Sequence, residues 1–159
     1  MTSPTCTDGF ALAMIASILA CGHTQPAKLD LIEAAASTND DMAAVIAREM
    51  SRAARDHKRL VVYAGASWCG PCVQFHAAAA AGKLDAAFGD VRLLAFDVDR
   101  HGDALERAGY RYELVPLLAI PNPDGRSSGR QIEGSIKGAD AIEIIAPRLR
   151  ELLDREPAR

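Results

Sequence analysis

The 159-residue chain is 49% hydrophobic and 25% charged, with a formal net charge of -3 and an isoelectric point near 5.8. That length suits one domain with an appended terminus, and the composition is that of an ordinary globular protein, neither disordered nor membrane-embedded. A mildly acidic chain without a lysine- and arginine-rich run gives no footing for nucleic acid, which calls for a basic patch.

The first element in chain order is "FALAMIASILAC", Phe10 to Cys21, twelve residues without a charge. As a helix it would extend roughly 18 Å, short of the ~30 Å hydrocarbon core, so a transmembrane span is not expected. The length fits the apolar region of a secretory signal. Its end, "ILACG", resembles the lipobox of bacterial lipoproteins, which makes Cys21 the expected lipid attachment site and new N-terminus. Two features depart from such signals: no Lys or Arg precedes Phe10, only Asp8, and Leu19 is bulkier than the small residue usual at that place. The alternative is an apolar N-terminal helix packed on the domain. Residues 1–21 are therefore read as a signal peptide, 22–38, including "HTQPAK", as a tether, and 39–159 as the folded domain.

Thr38, Asn39 and Asp40 are good N-cap residues, and Met42, Val45, Ile46, Met50 and Ala53 follow at helical spacing. A helix is expected from about Asp40 to His57. "LVVYAG", Leu60 to Gly65, is a short apolar β-rich run, as for a strand buried on both faces. "SWCGPC" follows, then the alanine-rich helix former "VQFHAAAAAGK", closed by Gly82. Phe75 and Ala79 mark that helix's buried face. Val91 to Asp99 reads as a second buried strand, "GDALERAGY" as a short helix ending at Gly109, and Val115 to Ile120 as a third strand. "PNPDGR" is a turn with Asp124-Gly125 at its tip, and "RQIEG" the returning strand. The last helix, "ADAIEIIAPRLRELLD", carries Ile142, Ile145, Leu149 and Leu152 on one face, with a kink expected at Pro147. The order β–α–β–α–β–β–α is that of an α/β domain with helices on both faces of a mixed sheet.

Of the four cysteines, Cys6 would leave with the signal and Cys21 would carry lipid, so the mature domain keeps Cys69 and Cys72 alone. Cysteines three positions apart close almost no loop, so a disulfide between them adds little through chain entropy, and the pair is read as chemical rather than structural. A zinc site needs about four ligands, and His57, His76 and His101 are scattered rather than paired.

The order of elements, WCGPC at the strand-to-helix junction, "LVPLLAI" downstream and Gly134 near the end of the last strand together resemble the thioredoxin superfamily, over roughly Asp40 to Leu153. The long helix before the motif strand is more similar to bacterial secreted and lipoprotein members. The resemblance implies a thioredoxin-like fold and makes Pro116 a cis-proline facing the cysteines, with Val115 offering backbone hydrogen bonds to a substrate strand. The alternative for Pro116 is a trans proline opening an edge strand.

Physical chemistry assigns roles to the motif itself. Cys69, expected to be exposed at the helix N-terminus, has unpaired N–H groups and the helix dipole to stabilise its thiolate, the attacking species. Cys72, one turn in and more buried, would resolve the mixed disulfide. Gly70 allows close backbone approach, Pro71 sits where its missing N–H goes unused, and Trp68 can cover the edge of the site.

Two positions depart from the thioredoxin pattern. Tyr63 stands where the family has a buried aspartate thought to assist proton transfer, and about Ala95 stands where a partner lysine is expected. Tyrosine, with a pKa near 10, is a poor base at neutral pH, though its hydroxyl could hold a water. Asp97 and Asp99 are assigned to solvation of a strand end. Tyr110 and Tyr112 either line a substrate groove or pack in the core, and packing is the expectation.

The expected function is thiol–disulfide exchange between the Cys69–Cys72 pair and protein thiols or disulfides, with no cofactor beyond that pair. The expected location is the periplasmic side of a bacterial membrane, lipid-anchored, with a membrane electron donor. A secreted or cytoplasmic location is the alternative if the N-terminal segment is not a signal. The Gly-Pro dipeptide is similar to that of reducing thioredoxins, and this resemblance implies a reductase rather than an oxidant. Other readings are a copper- or zinc-handling protein using Cys69, Cys72 and His76, and an interaction module with little turnover. His76 is otherwise a partly exposed helix residue.

Overall fold

β2 (Arg59–Gly65) shows why the chain builds a layered sheet. Leu60, Val62 and Ala64 enter one apolar cluster, while Val61 and Tyr63, pointing the other way, enter a second. A strand greasy on both faces has to run through the sheet interior with helices above and below. In the computed structural model, which describes residues 27–134 and 140–155, β2 lies at the centre of a five-stranded sheet ordered β1-β3-β2-β4-β5. β1 (Asp30–Glu33) pairs parallel with β3 (Val91–Asp97), which pairs parallel with β2. β4 (Leu117–Pro121) is antiparallel to β2 and to the other edge strand, β5 (Ser127–Glu133).

α1 (Met42–Arg55) and α4 (Val98–Arg107) cover one face through Met42, Ile46, Ala104 and Leu105. α2 (Gly70–Ala80) and α5 (Ala141–Asp154) cover the other through Phe75, Ala78, Ile145 and Leu149. Each large apolar side chain buried in this way contributes about 1.5–3 kcal/mol. A four-residue helix, α3 (Asp85–Phe88), adds Phe88 to the second cluster.

Several expected boundaries move. The stretch 22–38, read as a tether, contains β1: Leu29 is buried and Arg92 of β3 pairs with Asp30 and Asp56, which ties the segment to the domain. α1 is capped by Asp41, whose carboxylate accepts from the Ala43 and Ala44 N–H groups; Asp40 instead accepts from Ser37 N–H. β3 stops at Asp97 because that carboxylate caps α4, accepting from Asp99 N–H, so Val98 and Asp99 belong to the helix. β5 starts at Ser127, ahead of "RQIEG", because the turn closes early through Asn122 N–H to Arg126 O and Gly125 N–H to Asn122 O. Gly125 has φ +80°, and a Cβ there would lie 2.0 Å from the Ala43 carbonyl oxygen, so the turn rests directly on α1. α5 runs through Pro147 as one 14-residue element.

Phe10–Cys21, with the expected lipid site Cys21, lies outside the described residues. Among the described residues no helix is long and apolar enough to cross a membrane.

Candidate active site

After Gly65 the chain leaves β2 through Ala66, Ser67 and Trp68, and Cys69 becomes the N-cap of α2. Its sulfur takes the place of the usual capping oxygen, accepting from Cys72 N–H at 3.2 Å. Pro71 falls in the first turn, where the helix has no partner for an N–H anyway. Cys69 and Cys72 are joined in a disulfide with their Cα atoms 5.2 Å apart. Both are largely covered, at 7% and 2% exposure, so Cys69 is the more accessible but is not the exposed residue expected. A Cβ on Gly70 would meet nothing within 4 Å, so the room made by this glycine faces outward, not toward a close approach inside the chain.

Trp68 is 67% exposed, and its indole N–H donates to the Asp99 carboxylate at 3.0 and 3.2 Å. Strand-end solvation is what the sequence alone leads one to expect of Asp99. The early start of α4 puts it in that helix's first turn, where it anchors Trp68 at the edge of the site.

The Val115–Pro116 peptide bond is cis. Val115 packs against the small cluster formed by Ala66, Cys69 and Cys72, and its carbonyl oxygen lies 3.7 Å from Cys69 Sγ. The loop is held from β5: Gly134 N–H donates to Pro116 O, and the Glu133 carboxylate accepts from Glu113 and Leu114 N–H. Nothing in the sequence pattern singles out Glu133, because its role depends on the β4–β5 pairing.

No protein-family model and no curated protein matches the sequence. Solved structures do match. A poplar thioredoxin h mutant superposes with a TM-score of 0.51 at 22% identity, covering 85% of this chain and 92% of that one. The chain has the thioredoxin fold. Other matches are a mutant thioredoxin from Halobacterium salinarum (TM-score 0.49, 19% identity, 87% of this chain and 100% of that one) and oxidised thioredoxin O1 from Arabidopsis thaliana (TM-score 0.47, 19% identity, 80% and 96%).

Within this thioredoxin fold, Tyr63 sits beneath the cysteines and opposite Ala95 in the β2–β3 register, as counting along the strands predicts. Its hydroxyl donates to the Cys72 carbonyl oxygen at 2.9 Å rather than standing free to hold a water in place. Burial, with the Glu33 carboxylate adding, pushes the phenol well above its ordinary value, so it stays protonated at neutral pH. Gly65 makes room for this arrangement: a Cβ there would lie 2.7 Å from the Tyr63 hydroxyl oxygen and 3.2 Å from Cys72 Cβ.

Beside Cys72 opens a pocket of about 340 Å³, lined in part by Glu33, Tyr63, Gly65 and His76. His76 Nε2 lies 2.6 Å from Glu33 Oε1 at the pocket's outer side. The sequence offers His76 an approach to the active site, a metal role or a partly exposed place on the helix; its partner here, Glu33, comes from a segment expected to be tether. Among the described residues no group of three or more His, Cys, Asp or Glu side chains is placed to hold a metal ion. Tyr110 is fully buried with its hydroxyl on Gly125 O at 2.8 Å, as the packing expectation has it.

Proposed function

We propose that the protein is a thiol–disulfide oxidoreductase acting as a reductase of protein disulfides outside the cytoplasm. The observation that carries the reading is the position of Cys69 Sγ: it caps α2, receives the Cys72 N–H, and lies against the Val115 carbonyl of the cis-proline loop. A thiolate at that place gains from the helix dipole and the N–H.

In the forward direction the Cys69 thiolate attacks a substrate disulfide, forming a mixed disulfide and releasing one substrate thiolate. Deprotonated Cys72 then attacks Cys69 Sγ, releasing the second thiolate and leaving the Cys69–Cys72 disulfide, so two electrons have passed to the substrate. A dithiol donor returns them. The pair itself carries the electrons. Protein substrates fit because Trp68, Val73 and Leu114, each next to a site residue in the chain, are large apolar side chains left 67%, 50% and 62% exposed.

The Gly70-Pro71 dipeptide supports the reducing direction, since that spacer accompanies a potential of about -270 mV in thioredoxin against about -120 mV in a strong oxidant. The leader-like Phe10–Cys21 segment supports export, lipid attachment at Cys21 and a membrane electron donor, because a protein on that side must draw reducing equivalents across the bilayer.

Insulin reduction in the presence of dithiothreitol tests the activity. Cys69→Ser is expected to fall to the uncatalysed rate, and undiminished reduction by that variant would sink the proposal. Equilibration of the wild-type pair with glutathione then reads the direction from the potential, and mass spectrometry of membrane-extracted protein reads lipid on Cys21.

A further inference from the structure

We propose that Glu33 and His76 form a proton relay serving Cys72. The inference rests on the oxidoreductase reading above and adds to it the group that takes the proton when the resolving cysteine attacks.

Cys72 is 2% exposed, so its thiol has no free exchange with bulk water. The Tyr63 hydroxyl already donates to the Cys72 carbonyl and remains protonated, so it is no base. What Cys72 does have beside it is the pocket of about 340 Å³. Since a water takes up about 30 Å³ of liquid volume, such a space accommodates several.

Besides Tyr63, three elements bring titratable groups to the pocket; the Asp97 carboxylate at the end of β3 is already engaged as the α4 cap, accepting from Asp99 N–H, which leaves His76 and Glu33 at the outer side. His76 follows Cys72 by four residues on α2, which puts both on one helix face. Glu33 ends β1, and the strand register sets it in one row across the sheet with Ala95 and Tyr63. Ala95 in the middle of that row is small, which leaves the space between Glu33 and Tyr63 open above it. The pair is joined by the 2.6 Å contact of His76 Nε2 with Glu33 Oε1, and the side chains are 39% and 69% exposed. One side of the relay thus lines the space at Cys72 while the other meets solvent. Histidine is the side chain most often placed to accept and return a proton in general acid–base catalysis.

During resolution the Cys72 thiol passes its proton through pocket water to the His76–Glu33 pair, and the resulting thiolate attacks Cys69 Sγ. The Cys69–Cys72 bond forms, the bond from Cys69 to the substrate sulfur breaks, and the substrate leaves as a thiolate that takes a proton from solvent. When a dithiol donor later reduces the disulfide, the pair returns the proton to Cys72.

The reduced protein treated with an aromatic disulfide that releases a coloured arylthiolate separates the steps. The first equivalent reports attack by Cys69, the second resolution by Cys72. For Glu33→Gln and His76→Gln the second phase is expected to slow about tenfold at neutral pH, below the roughly hundredfold or more of a directly positioned general base because the relay is water-mediated and partly exposed. The first phase should stay within about twofold of wild type, by the same reasoning that the relay serves Cys72 and not Cys69. The second-phase rate should also change its pH profile, rising with hydroxide in place of levelling off, and added imidazole should restore the His76→Gln rate. A second phase in both variants that matches wild type from about pH 6 to pH 9 overturns the relay. A wild-type protein that releases no arylthiolate at all overturns the oxidoreductase reading instead, and the relay with it.

Discussion

Tyr63 and Tyr110 lie in the clusters on opposite faces of the sheet, and each donates its buried hydroxyl to a backbone carbonyl, Cys72 O at 2.9 Å and Gly125 O at 2.8 Å. Burial raises both phenols above their ordinary value, with a nearby carboxylate adding to the effect: Glu33 for Tyr63 and Asp124 for Tyr110. The surroundings differ. Tyr110 holds a turn whose Gly125 has no room for a Cβ against α1, so that end of the molecule is closed. Tyr63 holds the first turn of α2 beside an open pocket bearing Glu33 and His76. The same hydrogen bond is a latch in both places. What makes one of them a site is the space next to it and the titratable groups lining that space.

The closed end should be the most fragile to added bulk. Gly125→Ala combines a left-handed backbone with a Cβ driven into the Ala43 carbonyl, a loss of about 3 kcal/mol. Thermal melting should then show a drop of roughly 6–12 °C, with insulin reduction unaffected below the transition. A variant that melts like wild type would mean the turn moves off α1 freely.

Tyr63→Phe and Tyr110→Phe should each lose about 1–2 kcal/mol in guanidinium unfolding, because each strands one buried carbonyl. Their pH dependence sharpens the parallel. In the unfolded chain tyrosine ionises near about pH 10, while in the folded chain both stay protonated to higher pH. The unfolded state therefore binds fewer protons above that pH. The stability is fully present below it and is lost as pH rises, by about 1.4 kcal/mol per pH unit for each tyrosine. Each Phe variant should flatten the alkaline slope by its share. Equal slopes in wild type and both variants would contradict the burial argument.

The smallest expected effect is at the edge of the site. Asp99→Ala removes an exposed partner of the Trp68 indole and a first-turn charge of α4, together about 0.5 kcal/mol. The chain has a single tryptophan, so its fluorescence anisotropy reads Trp68 alone and should fall. Unchanged anisotropy would show that Asp99 does not restrain the ring.

Much of the fold was legible where the pattern was long or chemically marked. β2 and β3 declare themselves as apolar runs, α1 and α5 as periodic stretches, and Cys69–Cys72 by their spacing at a strand-to-helix junction. β1 was not legible. "DLIE" has four residues and no strong periodicity, and it becomes a strand by pairing with Arg92–Ala95 and by the Arg92–Asp30 ion pair. The start of α4 was misplaced because Val98 continues an apolar run, while the cap that ends the strand is a side-chain bond from Asp97 to the Asp99 N–H. Both misses fell on the site. Without β1 there is no Glu33 beside His76, and without the earlier helix there is no Asp99 beneath Trp68.

The sequence by itself determined the Cys69–Cys72 pair, the helix N-terminus on which it sits, and a tyrosine, Tyr63, in the strand below. These are local matters of residue type, spacing and periodicity, readable within a few turns of chain. Only the tertiary structure decided what stands around the pair. Glu33 meets His76 across a separation of 43 residues, Asp99 meets Trp68 across 31, and Val115 meets Cys69 across 46. Contacts of that range follow from strand order and register, which short-range pattern does not encode, because each strand's place depends on which partner buries its two faces best.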